Sequence, residues 1–131
     1  MTIRFLTHAG LAFALIILTA IGASAADRRT FDEKAFAEAQ AQGKSILIDI
    51  SAPWCPTCQA QKPIIEKLAA EPRYGDLTIF DVDFDSRKDV LRKFRAQSQS
   101  TLIVFKGANE AGRSVGSTNE SAIDSLLRKA L

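Results

Sequence analysis

Beyond residue 26 the chain alternates between short apolar runs and amphipathic stretches, and the pattern predicts a regular order of elements. Ser45-Ile-Leu-Ile-Asp-Ile-Ser51 and Leu77-Thr-Ile-Phe-Asp-Val-Asp83 are β-branched, mostly apolar runs that read as strands, the first of them central. Thr101–Phe105 and Ala111–Val115 predict a hairpin around Lys106-Gly107-Ala108-Asn109. Between these runs, apolar residues recur at helical spacing. A first helix over Asp32 to Gln42 is Ala-rich with Phe36 inward; Thr30-Phe-Asp-Glu33 is its capping box, Asp32 the rival cap and Gly43 its stop. A second runs from Cys55 to about Ala70, with Ile64, Ile65 and Leu68 at helical spacing and a bend at Pro63. A third spans Asp89 to Ala96 with Val90, Leu91 and Phe94 inward and Asp85 or Ser86 as cap. The last, Asn119 to Ala130, buries Ile123, Leu126 and Leu127, and Glu71–Gly75 is a turn. The order helix–strand–helix–strand–helix–strand–strand–helix predicts an α/β fold, a mixed β-sheet flanked by helices on both faces.

The first 26 residues break this pattern. Met1 to His8 carries Arg4, Leu11 to Ile21 is an apolar core, and Ala23-Ser24-Ala25 is a small-x-small site. This is the layout of a signal peptide over 1–25, cleaved after Ala25 to leave a single domain over 26–131 in the periplasm or secreted. The uncharged run from Phe5 to Ala26 is also long enough to remain as a membrane anchor. Cleavage would remove the chain's one histidine and one methionine, which excludes histidine-based acid–base, nucleophilic and metal chemistry. Seventeen basic against fifteen acidic residues give a formal charge of +2, with no basic tract, so nothing points to nucleic acid. Neither a Gly-rich phosphate loop nor a nucleotide motif is visible, and no cofactor is expected.

The remaining chemistry centres on Trp54-Cys55-Pro56-Thr57-Cys58, which holds both cysteines. They fall where the central strand gives way to the second helix. Cys55 is placed near the helix N-terminus, where free N–H groups and the helix dipole favour a thiolate, and Pro56 at a first turn that has no use for its missing N–H. One turn further, Cys58 comes within disulfide reach. A structural staple closing so short a loop would stabilise little, and a four-ligand zinc site lacks ligands outside the first eight residues. Reversible dithiol–disulfide chemistry is the reading that remains.

From about Phe31 to Leu131 the chain resembles the thioredoxin family. The resemblance rests on Trp54-Cys-x-x-Cys58, Asp49 on the preceding strand, Pro63 within the helix, the strand Thr101–Phe105 with Lys106-Gly107, and Gly116. It implies a thiol–disulfide oxidoreductase in which Cys55 attacks a substrate disulfide and the less exposed Cys58 resolves the mixed disulfide. It also implies that Asp49 is a buried carboxyl of raised pKa relaying a proton with Cys58; from the residues alone, an outward or amide-capped Asp49 is the alternative. The family's lysine beside this acid has no counterpart in Phe80-Asp81-Val82-Asp83, so Asp49 is expected to lack a cationic partner. Trp54, Pro56, Gln99, Ser100 and Gly116 are the candidate substrate-binding residues. Pro56-Thr57 supplies no positive charge, which suits a reductant rather than a strong oxidant. The family's cis-proline position holds Ser100, and a non-proline cis bond costs about 3–4 kcal/mol, so Gln99–Ser100 is expected to be trans. The implied partners are protein thiol and disulfide clients and a membrane-embedded thiol reductant, the protein acting as a monomer. The rival readings are a client-docking assembly factor, for example in cytochrome maturation, and a CxxC metal- or cluster-binding module without redox turnover.

Overall fold

The structure is a computed structural model that describes residues 25–131; the expected leader up to Ser24 lies outside the described residues. The elements run β1 (Asp27–Thr30), α1 (Glu33–Ala41), β2 (Ser45–Ser51), α2 (Pro56–Ala69), a 3-10 turn (Pro72–Tyr74), β3 (Leu77–Asp83), α3 (Lys88–Phe94), β4 (Thr101–Lys106), β5 (Asn109–Val115) and α4 (Glu120–Arg128). They build a five-stranded sheet in the order β1-β3-β2-β4-β5. Strand β2 lies at its centre, parallel to β3 and antiparallel to β4. Strand β1 adds in parallel outside β3, and β5 closes the other edge antiparallel to β4.

The pleat of β2 explains why both faces carry helices. Ile46, Ile48 and Ile50 pack with Phe80 and Ile103 into an aromatic cluster that includes Phe31, Phe36 of α1 and Phe94 of α3. Leu47 points the other way and joins Leu102 and Val104 against Ile65 and Leu68 of α2 and Ile123 and Leu127 of α4. Fully burying one such aliphatic side chain contributes about 1.5–3 kcal/mol before entropy is counted. Asp49 shares the Leu47 face by the same alternation, so the fold sets a carboxyl beneath α2.

The sequence pattern needs two corrections. Strand β1 was not expected, because Asp27-Arg28-Arg29-Thr30 contains no apolar residue; as an edge strand it pairs only with β3 and carries no core side chain. Helix α3 is capped by neither Asp85 nor Ser86: its N-cap is Arg87, with no side-chain hydrogen bond. Asp83 Oδ1 accepts instead from the Asp85 and Ser86 amides, at 3.1 and 2.8 Å, and folds that segment into a turn ahead of the helix. At α1 the rival cap prevails: Asp32 Oδ1 accepts from the Ala35 amide at 2.8 Å. The β4–β5 turn is narrow, with Gly107 at φ +57 and so close to α1 that a Cβ there would meet the Gly43 Cα at 3.2 Å.

Candidate active site

Strand β2 delivers the chain through Ala52-Pro53-Trp54 to Cys55, the N-cap of α2. The Cys55 backbone is extended, and its Sγ accepts the Cys58 amide at 3.1 Å, so the sulfur takes the place of a capping oxygen. Pro56 opens the helix, and Cys58 follows one turn in. The two cysteines form a disulfide, their Cα atoms 5.3 Å apart. One expectation fails here: Cys58 is not the more covered thiol, for Cys55 is 1% exposed and Cys58 7%.

The cover over Cys55 is the loop before β4. Ser100 Oγ lies 3.1 Å from Cys55 Sγ and 3.2 Å from Cys58 Sγ, and Ser100 is itself buried. The Gln99–Ser100 bond is trans, as the missing proline predicts, and Ser100 takes a left-handed backbone with φ +60. Its carbonyl accepts from the Gly116 amide at 2.9 Å and from Gln61 Nε2 at 3.3 Å. Gly116 is left-handed as well, at φ +74. Of the predicted substrate-binding residues, Ser100 touches both sulfurs, Pro56 follows Cys55 at the start of α2, Gly116 meets the Ser100 carbonyl through its amide, and Gln99 precedes Ser100 in the chain, half-buried. Trp54 is 57% exposed, its indole Nε1 donating to Asp85 Oδ2 at 2.8 Å. That bond occupies the carboxylate that the sequence pattern assigned to capping α3.

Gln61 was missed. It is buried, donates also to the Ser117 carbonyl at 2.8 Å, and ties α2 to the two loops that frame the disulfide. The signal was there: Cys58, Gln61, Ile65 and Leu68 form the inward stripe of α2, and a lone amide in such a stripe needs polar partners.

Behind the disulfide, a cleft of about 440 Å³ is lined by Cys58, Asp49, Arg28, Lys62, Gln59 and Asp81, among others. Asp49 is 4% exposed, which rules out the outward reading. It does not lack a cation. Arg28 Nη2 donates to Asp49 Oδ2 at 2.7 Å and to Asp81 Oδ1 at 2.6 Å, while Arg28 Nε donates to Asp81 Oδ2 at 3.0 Å. Asp49 and Asp81 are register partners on adjacent parallel strands, so the guanidinium fork bridges two carboxylates that would otherwise repel. Burial raises the Asp49 pKa above the usual carboxylate range, against the opposing pull of Arg28. The expectation that Asp49 lacks a cationic partner is therefore overturned: the cation comes from β1, not from the β3 positions where the family's lysine lies. Among the described residues, no group of three or more His, Cys, Asp or Glu is placed to hold a metal ion.

A sulfur-capped helix start, a second thiol one turn on and a buried acid behind it define a thiol–disulfide oxidoreductase. The family model described as Thioredoxin matches residues 27–129, and the chain belongs to the thioredoxin family. A thioredoxin of Chlamydia trachomatis is 38% identical over 94 residues, covering 72% of this chain and 89% of that protein. A bifunctional thioredoxin reductase/thioredoxin of Mycobacterium leprae is 33% identical over 92 residues; the match takes in 70% of this chain but only 20% of that longer protein. Among solved structures, the crystal structure of Trxlp from Edwardsiella tarda superposes with a TM-score of 0.75 at 40% identity, over 77% of this chain and 98% of that one.

Proposed function

We propose that the protein reduces protein disulfides outside the cytoplasm, cycling Cys55 and Cys58 between dithiol and disulfide. The observation that carries this reading is the position of Cys55 Sγ at the start of α2, accepting the Cys58 amide at 3.1 Å. A thiolate there gains from the amide and from the helix dipole. It attacks one sulfur of a client disulfide; a Cys55–client bond forms, and the other client sulfur leaves as a thiolate that takes a proton from solvent. Cys58 then loses its proton, by way of the cleft, to the Asp49 carboxylate. The Cys58 thiolate attacks Cys55 Sγ, the internal disulfide forms, and the second client sulfur leaves with the electron pair. The client gains two electrons, and a donor dithiol must return them to the Cys55–Cys58 disulfide.

The reducing direction is supported by Pro56-Thr57, which places no cation between the sulfurs. The location is supported by the leader pattern and by where the sheet begins: Asp27 is the first strand residue, so cleavage after Ala25 removes nothing from β1. With the domain outside the cytoplasm, its electron donor is a membrane-embedded thiol carrier, and the protein works as a monomer.

Equilibration with a thiol–disulfide buffer tests the direction. The reduction potential should lie below about −200 mV, in the range of thiol reductants, whereas a value near about −120 mV, where strong thiol oxidants lie, would overturn it. With Cys58→Ser, a client should remain trapped on Cys55. Intact mass of the extracytoplasmic protein should correspond to a chain beginning at Ala26.

A further inference from the structure

We infer that the Ser100 hydroxyl is a catalytic hydrogen-bond donor that serves the two sulfurs in turn, an inference that rests on the disulfide-exchange reading of the same site. One O–H stands 3.1 Å from Cys55 Sγ and 3.2 Å from Cys58 Sγ. Ser100 is 3% exposed, so little bulk water competes for those sulfurs. Among the described residues, no other side chain is hydrogen-bonded to Cys55 Sγ.

The hydroxyl is held there from behind. The Ser100 carbonyl is fixed by the Gly116 amide and by Gln61, whose side-chain nitrogen also grips the Ser117 carbonyl. A left-handed conformation is uncommon for a residue with a Cβ, and it persists where the surroundings over-determine it. A disulfide sulfur is a weak acceptor and a thiolate a strong one, so the donor acts mainly where charge develops.

Two such moments occur in each turnover. The hydroxyl stabilises the Cys55 thiolate before attack on the client. Once Cys55 is bonded to the client, the same hydrogen turns to the Cys58 thiolate, lowering the barrier to resolution. No proton leaves Ser100 in either step, and the electron pairs move as described above. The charged groups around the pair are Asp49 on β2, Asp81 and Asp83 on β3, Arg28 on β1 and Lys62 on α2, all lining the cleft on the Cys58 side. Asp85, beyond Trp54, is engaged by the indole.

The test is a pH titration of thiolate absorbance in the reduced protein, comparing wild type with Ser100→Ala and Ser100→Gly. Losing a hydrogen bond to a charged group should raise the Cys55 midpoint by about one pH unit or more in both variants. Below that midpoint the thiolate fraction falls about tenfold while its nucleophilicity rises, so attack on a small disulfide should slow by about threefold. The reduced form loses a stabilising contact, so the potential should become more negative, by about 30 mV for a tenfold change. Glycine suits the left-handed backbone, so Ser100→Gly keeps the test valid where Ser100→Ala folds poorly. A folded Ser100→Gly protein with the wild-type midpoint and rate overturns the inference. A midpoint shift in a protein that turns over no client disulfide would instead uphold the hydroxyl's role and count against the proposed function.

Discussion

Arg28 Nη2 lies 2.7 Å from Asp49 Oδ2, although Arg28 sits on a four-residue edge strand and β3 runs between the two. The side chain passes over Asp81, holds it with two bonds, and reaches the buried acid with the same terminal nitrogen. Arg28→Gln should leave the two carboxylates facing each other. We expect a loss of about 3 kcal/mol at neutral pH, the low end for breaking a buried pair, and a smaller loss in acid, where Asp49 protonates. The pH–rate profile should move upward, because the remaining neighbour, Asp81, opposes ionisation of Asp49. Arg28→Lys supplies a point charge without the fork and should fall between the two. Chemical denaturation across pH, with client-reduction rates, checks this; a profile unmoved in Arg28→Gln removes Arg28 from the relay.

Asp49→Asn separates stability from turnover. Burial raises the folded-state pKa of Asp49 above its unfolded value. Its contribution is therefore fully present below the unfolded pKa and is lost as pH rises through the folded one. Asparagine carries no such penalty, so the variant should be at least as stable as wild type at neutral pH, its relative advantage shrinking as the pH falls toward the unfolded carboxylate value. Proton transfer by a placed side chain contributes on the order of 100-fold, and client reduction should slow by about that much. Equal rates across the pH range would exclude Asp49 from the chemistry.

The parts of this fold that bury apolar side chains were legible in the sequence. Strands β2 and β3 fall on the residues their apolar runs predict, and Val90, Leu91 and Phe94, like Ile123, Leu126 and Leu127, are the buried stripes of α3 and α4. The chemistry at Cys55 and Cys58 was legible because a motif at a strand–helix junction implies its own geometry. What escaped was polar and non-local. Strand β1 has no hydrophobic period, and its register with β3 decides that Arg28 meets Asp49. Asp85 could serve a helix cap or an indole, and only the tertiary fold chooses. Ser100 was placed at the thiols by resemblance, but its contact with both sulfurs depends on the Gln61 and Gly116 bonds, which no local pattern announces.

Trp54 offers the sharpest separation of client binding from chemistry. Its ring is 57% exposed and makes one polar bond, to Asp85, so it contributes little to the core. Trp54→Ala should cost below about 1 kcal/mol of stability, as surface substitutions usually do. An exposed aromatic next to the attacking sulfur supplies flat apolar area at low entropic cost, and such anchors carry much of the energy of a protein contact. For a protein disulfide the KM should therefore rise about tenfold, the equivalent of about 1.4 kcal/mol. A small disulfide has no chain to lay across the indole, and its rate should stay near wild type. Asp85→Ala keeps the ring but releases its tether, so its effect should have the same sign and be smaller. Steady-state kinetics on a protein disulfide and a small disulfide, run in parallel, decide the matter: equal losses on both would mean that Trp54 acts on the thiols themselves rather than on the client.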